Sequence, residues 1–161
     1  MNYEWIFSDE IIASFITAIS TVFTGLVVFL LSQHYYRHSK KVEQDKILKE
    51  LFTEFNTRYD KINYQLEIIS KLSLQEWQGL KKKRRKEYIG TIFDFFNLCA
   101  EEYYWMSEGR ISKKVWNSWV IGMNIIYSRS EVIQNTWRKE CENGGYVSYY
   151  IDNENAFFNC R

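Results

Sequence analysis

Two histidines are the first residues whose type and spacing suggest chemistry. His34 and His38 stand four residues apart, and that spacing lets one helix face hold a metal ion. A nearby third ligand is lacking, and both residues follow a long apolar segment. They could instead lie at a membrane interface or titrate near neutral pH. The sequence therefore predicts no metal site and no bound cofactor.

Acid–base chemistry is suggested by neighbouring carboxylates. Glu101 and Glu102 are adjacent, and adjacent helical residues point about 100° apart, so the two do not face one substrate. Asp94 and Glu101 share a helix face, but a single pair of this kind is a weak signal. Small helical ribonucleases often carry a His four to six residues after an Arg, and no His lies beyond His38 here. Phosphate-binding loops, nucleophile elbows and zinc patterns are also missing. We predict that the chain is not an enzyme and has no catalytic residues.

The three cysteines favour a reducing compartment. Cys99, Cys141 and Cys160 are far apart, odd in number and without metal-ligand spacing. Neither a disulfide framework nor a metal site is therefore expected.

A run of six basic residues is too highly charged to be buried. The run, here called the basic cluster, consists of Lys81, Lys82, Lys83, Arg84, Arg85 and Lys86. It could be a solvated surface, or it could contact anionic lipid head groups or nucleic-acid phosphate. No aromatic residue interrupts the run, so base stacking is not indicated. The net charge of the whole chain is only +1, and direct nucleic-acid binding stays an open question.

An uncharged apolar segment lies near the start of the chain. Residues 11–31 read IIASFITAISTVFTGLVVFLL. A helix of this length rises about 30 Å, which matches the hydrocarbon core of a bilayer. A cleaved signal peptide has a basic start and a shorter apolar run, whereas here the preceding residues are acidic and the apolar run is long. We predict a retained transmembrane helix in contact with membrane lipid.

Charges on the two sides of this segment indicate its direction. Acidic residues precede it, whereas Arg37, Lys40 and Lys41 follow it. The positive-inside rule places residues 1–10 outside and residues 32–161 in the cytosol. Aromatic residues suited to the membrane interface flank the segment at Trp5, Tyr35 and Tyr36.

One face of the predicted membrane helix carries hydroxyl groups. This stripe, here called the hydroxyl stripe, consists of Ser14, Thr17, Thr21 and Thr24, and larger apolar residues occupy the opposite face. Such a face favours close contact between helices. It could also line a wet pore in a ring of such helices. Because each hydroxyl can also bond to its own backbone, neither interpretation is forced.

The rest of the chain has helical periodicity. Apolar residues recur at spacings of three and four from Leu48 to Ile69, which predicts a continuous helix to about Leu72. This stripe could pack within its own domain, our default, or against another copy. Ser73 and Glu76 resemble a capping box, and we expect the basic cluster in the first turns of the helix that they begin.

Helix boundaries can be assigned through the C-terminal half. A helix through Tyr88–Glu108 should stop at Gly109, Ser112 should cap the next helix, and a last helix should run from about Ser130 to Glu142. The tail after Tyr146 is aromatic and cannot be assigned. The predicted fold is all-α, with one transmembrane helix continuing into a cytosolic bundle of about four helices.

Several segments in a fixed order resemble a known family. After the acidic N-terminus and the apolar helix come FTEFNTRYDKIN at 52–63, FDFFNLCAEEYYW at 93–105 and GRISKKVWNSWVIGM at 109–123. Together they resemble small bacterial single-pass membrane proteins, and among these the accessory membrane proteins of type VI-B CRISPR systems. The stretch 93–123 is the most specific part, and it marks the wider group better than this one family.

The resemblance implies a function in antiviral defence. Proteins of this family act beside an RNA-guided ribonuclease and assemble in the inner membrane as a homo-oligomeric ring with a central pore. The resemblance does not say whether the ribonuclease touches the protein directly. A divergent Arg/His nuclease motif described for part of the family does not occur here. Three hypotheses follow: an oligomeric pore, a membrane-anchored helical module that docks a protein or RNA, and, ranked last, a tethered nuclease.

Overall fold

The computed structural model of this chain describes residues 9–158 and is helical throughout, with no strand among those residues. The all-α fold class is therefore confirmed. Trp5, Cys160 and most of the predicted N-terminal segment 1–10 lie outside the described residues. Contacts divide the chain into two units, Met1–Lys46 and Ile47–Arg161. The membrane boundaries at residues 11 and 31 stay predictions.

The first helix, α1, runs without interruption over Asp9–Ser70. No proline occurs in the sequence to break it. Its N-terminal part is long and apolar enough to cross a membrane, and none of that apolar stretch is buried by the protein. The prediction of a helix to about Leu72 is confirmed to within two residues.

The C-terminal part of α1 packs into the second unit. Phe55, Leu66 and Ile69 are buried, and the rings of Phe52 and Phe55 meet Trp119 edge to face. The predicted apolar stripe therefore lies against its own domain, which was the default expectation.

Four further α-helices follow among the described residues: α2 (Leu74–Gly79), α3 (Lys82–Ser107), α4 (Lys113–Arg129) and α5 (Glu131–Cys141). A 3₁₀ segment over Glu142–Tyr149 and an irregular tail complete the described chain. Gly109 adopts φ +69° just after α3, a conformation that suits glycine and ends the helix where predicted.

Serine side chains cap three of these helices. Ser73 accepts a hydrogen bond from the Glu76 amide at 3.2 Å, and the Glu76 carboxylate accepts one from the Ser73 amide at 2.8 Å, so the predicted capping box is confirmed. Ser112 and Ser130 cap α4 and α5 in the same way, through their side-chain oxygens.

The placement of the basic cluster within a helix was predicted wrongly. The helix that begins after Ser73 has only six residues and ends at Gly79, and the cluster opens a separate helix at Lys82. The reason is local: glycine is a poor helix former, and Leu80 and Lys81 both adopt extended backbone angles. A six-residue helix and a separate 26-residue helix therefore replace the single helix that was expected to begin at Ser73.

The core of the second unit is aromatic and includes the tail. Trp137 is fully buried, and its ring lies about 5 Å from those of Phe96, Phe157 and Phe158. Its indole N–H donates to the Glu154 carbonyl at 3.2 Å. The tail that could not be assigned from sequence thus closes the core.

Candidate functional site

The hydroxyl stripe lies on the exposed N-terminal part of α1. Ser14, Thr17 and Thr21 each donate a hydrogen bond of 2.8 Å to a backbone carbonyl four residues earlier. Each hydroxyl thus donates its hydrogen within the helix, while its oxygen can still accept a hydrogen bond from outside. Thr24 is also exposed. Whether this stripe faces another helix or a wet lumen stays a prediction.

The opposite face of the same helix segment presents large apolar side chains. Ile16, Ile19 and Phe23 are 60–67% exposed. A contiguous exposed apolar surface of this kind is typical of a membrane or protein contact.

The two histidines are exposed on α1, where His34 meets the ring of Tyr35 edge to face. Among residues 9–158, no group of three or more His, Cys, Asp and Glu side chains is arranged to hold a metal ion. Cys99 and Cys141 are both buried.

The basic cluster divides into two kinds of residue. Lys81, Lys82, Lys83 and Lys86 are exposed side chains, and Arg84, also exposed, lies over the Tyr88 ring at 5.6 Å. Arg85 instead turns back, and its Nη2 donates to the carbonyls of Gln78 at 2.5 Å and Leu80 at 3.3 Å. Arg85 thus closes the end of α2, and the other five residues form the charged surface.

The adjacent carboxylates on α3 point to different surroundings, as their spacing predicts. Glu101 pairs with Arg58 of α1 through two hydrogen bonds. Glu102 is only 8% exposed and lines a cavity between α1, α3 and α4. Asp94 lines a separate small groove together with Arg58 and Lys61.

The cavity beside Glu102 has a volume of about 240 Å³. Its walls are largely apolar and its polar groups are few. The residues that line it are Asn56, Tyr59, Phe95, Leu98, Cys99, Glu102, Ser118, Trp119, Gly122 and Met123. This combination is typical of a small-molecule site.

Burial changes the acidity of the groups around this cavity. It raises the pKa of Glu102 to about 8, against the attraction of Arg58 and with a smaller contribution from the Glu101 charge. Burial also raises the pKa of the Cys99 thiol and of the Tyr59 hydroxyl. With the cavity empty, Glu102 therefore holds its proton more tightly than an exposed glutamate does.

Sequence reasoning did not identify this cavity. Glu102 was considered only as the neighbour of Glu101. The available signal was its position three residues after Cys99 and seven after Phe95, on the apolar face of α3. A carboxylate at such a position marks a buried acid, but its partners on α1 and α4 cannot be deduced from spacing alone.

Comparisons with protein-family models, with curated proteins and with solved structures find no match to this chain.

Proposed function

We propose that this chain is a single-pass membrane protein whose copies assemble into an oligomeric pore that supports RNA-targeting CRISPR antiviral defence. The observation that carries the proposal is the N-terminal part of α1, which is apolar and exposed, with hydroxyl groups along one face. The defence context rests on the family resemblance of the segments 52–63, 93–105 and 109–123. No catalytic step is part of the proposal.

The proposed orientation puts the C-terminal domain in the cytosol. Basic residues follow the apolar segment, at Arg37, Lys40 and Lys41, and these favour the inner side of the bacterial cytoplasmic membrane. Lys40 lies over the ring of Tyr36 at 4.5 Å, an arrangement suited to the lipid head-group region. The ribonuclease partner would therefore share a compartment with residues 32–161.

A ring would give both faces of the membrane segment a suitable environment. Large apolar side chains such as Ile19 and Phe23 would face lipid, and the hydroxyl stripe would face neighbouring helices or the lumen. One repeated interface suffices to close such a ring. The exposed lysines of the basic cluster would remain available to lipid head groups or to RNA phosphate.

Membrane potential in living cells tests the pore. Cells that carry this chain and an active type VI-B ribonuclease should depolarise when the target RNA is present. The double substitution Thr17→Leu and Thr21→Leu should abolish depolarisation, because it removes two hydroxyls of the stripe. The matched control, Ile19→Leu and Phe23→Leu, keeps the opposite face apolar and should depolarise like the natural chain.

Mass measurement of the detergent-solubilised protein gives an independent check. A defined oligomer is expected at micromolar protein concentration. A monodisperse monomer, or cells that keep their potential when the ribonuclease is active, would overturn the pore proposal.

An anchored binding module is the second candidate, and an exposed feature of α4 favours it. Ile121 and Ile125 stand one turn apart and are 62% and 44% exposed. Paired apolar side chains at this spacing suit helix-in-groove contacts with a partner protein. Replacing residues 11–31 with an unrelated membrane helix would preserve function under this hypothesis and destroy it under the pore hypothesis.

A further inference from the structure

The buried carboxyl of Glu102 and the cavity in front of it form a site that the pore proposal does not use. We propose that this cavity binds a small organic ammonium compound, with its apolar body inside and its charged nitrogen on Glu102. The proposal concerns residues of the second unit only. It stands or fails independently of pore formation.

The size and lining of the cavity suit the apolar part of such a ligand. Apolar walls come from Phe95, Leu98 and Met123. Apolar protein cavities of roughly 150 Å³ take up benzene, so about 240 Å³ leaves room for a benzene ring with a short side chain. The exposed residues Asn56 and Ser118 mark where the cavity opens to solvent.

The carboxyl group of Glu102 makes no hydrogen bond to the protein within residues 9–158, and the residue is only 8% exposed, but its oxygens still reach the open cavity rather than being sealed from it. Arg58 attracts the Glu102 charge, but two of its N–H groups donate to Glu101 instead. A largely buried carboxyl is only partly hydrated, and a ligand in the cavity that supplies a donor gives it a hydrogen bond that the protein does not provide.

A cationic donor fits this position better than a neutral one. The rings of Tyr59 and Trp119 line the same cavity, and aromatic faces attract ammonium groups. Asp and His side chains are missing from the lining, so the residues present provide a single carboxylate rather than a metal-ligand set. One carboxylate and two aromatic rings are the elements that recognise an organic ammonium ion.

Calorimetric titration of the full-length protein in detergent with 2-phenylethylamine tests the proposal. 2-Phenylethanol is the matched neutral probe, since a hydroxyl replaces the ammonium group. Saturable binding of the amine to the natural chain is expected, weakened at least about tenfold by Glu102→Gln. The alcohol should bind the two chains with similar affinity.

A second variant keeps the test decisive if the first one folds poorly. Gly122 lines the cavity, and a Cβ added there meets nothing within 4 Å. Gly122→Leu should therefore fold and fill part of the cavity, and it should weaken binding of both probes. Circular dichroism establishes that each variant retains its helices.

The pH dependence of binding separates a cationic ligand from a neutral one. The titratable groups around the cavity are Glu102, Arg58, Glu101, Cys99 and Tyr59. An ammonium ion requires ionised Glu102, so amine affinity should rise severalfold or more between about pH 6 and about pH 8. Affinity for the alcohol should not rise with pH.

Three results would overturn the proposal. These are no saturable amine binding to the natural chain, equal amine affinity for the natural chain and Glu102→Gln, and equal pH profiles for amine and alcohol. A fourth result, tighter binding of the alcohol than of the amine, would also overturn it and would identify Glu102 as a neutral hydrogen-bond donor.

Discussion

Arg58 on α1 and Glu101 on α3 form a two-point ion pair. The Arg58 Nη1 lies 2.5 Å from Oε2 of Glu101, and Nη2 lies 2.8 Å from Oε1. The hydrogen bond to Glu101 raises the pKa of Arg58. The pair joins residues 43 positions apart in the sequence and lies beside the Glu102 cavity. It therefore helps to fix the register between the two helices.

Arg58→Lys should destabilise the protein by about 0.5–1 kcal/mol, because a lysine ammonium cannot make the two parallel hydrogen bonds. The value is modest since both side chains are about one-third exposed to solvent. The free energy of urea unfolding in detergent, followed by tryptophan fluorescence, measures it. Glu54→Gln is the control: Glu54 contacts Arg58 only at 3.6 Å and is 61% exposed, so its loss should have little effect. Equal effects of the two substitutions would argue against the two-point pair.

Arg85→Ala should cost about 1–2 kcal/mol of stability, although it removes one charge from a run of six. Arg85 donates to two carbonyls at the end of α2, and those acceptors lose their partner in the variant. The adjacent Lys86→Ala is a matched control, because the Lys86 side chain is exposed. Thermal unfolding of the two variants side by side should lower the midpoint only for Arg85→Ala. If the midpoints agree, Arg85 is an ordinary member of the charged surface.

Sequence analysis located most helix boundaries, though not the break between α2 and α3, because helix caps depend on near neighbours. Ser73, Ser112 and Ser130 each bond to a backbone amide three residues later, and Gly109 adopts its positive φ within a single turn. Such signals are contained in four or five consecutive residues. The length of α1 could also be predicted, from the absence of proline and from the sustained apolar spacing.

The features that sequence analysis missed depend on residues outside the run or helix that carries them. Arg85 bonds to carbonyls five and seven residues earlier, across the break between α2 and α3, so nothing within the basic run distinguishes it from Lys86. The surroundings of Glu102 come from three helices, and the α1 residues that line its cavity lie more than forty residues earlier. The aromatic tail lacks α-helical or strand periodicity because it consists of the end of a 3₁₀ segment and irregular backbone, and its burial depends on Trp137.

Phe158→Ala should destabilise the second unit by about 3–5 kcal/mol, because it opens a cavity in a close-packed aromatic core. Phe158 is fully buried, stacks on Tyr127 with centroids 4.5 Å apart, and meets Trp137 edge to face. Chemical unfolding with tryptophan fluorescence measures the loss. Val147→Ala removes apolar atoms from a side chain that is 65% exposed and should change stability by less than about 0.5 kcal/mol. If Phe158→Ala left the free energy of unfolding unchanged, the tail would not belong to the core.

Stability should fall as pH rises from about 5 to about 8, and Glu102 should be responsible for a large part of the change. Burial raises the pKa of Glu102 from its usual 4.5 to about 8, so the folded protein keeps this proton over a range in which the unfolded chain has lost it. The folded state therefore binds more protons in this interval, and raising the pH favours unfolding. This contribution to stability is on the order of a few kcal/mol. It is fully present below the pKa that Glu102 has in the unfolded chain, and it is lost as pH approaches 8.

Glu102→Gln should remove this part of the pH dependence, because glutamine stays neutral at every pH while keeping nearly the same shape. Urea midpoints measured in detergent at about pH 5 and about pH 8 should differ less for the variant than for the natural chain. The neighbouring Cys99 thiol does not contribute in this interval, since burial raises its pKa further above its usual 9.0. Glu101→Gln is the matched control: it removes the adjacent carboxylate, which is partly exposed and paired with Arg58 rather than buried in the cavity. Its midpoints should retain most of the pH dependence. If both glutamine variants respond to pH like the natural chain, then Glu102 is already ionised in the folded protein at pH 5. Its side chain would then be a carboxylate in the cavity and not a carboxylic acid.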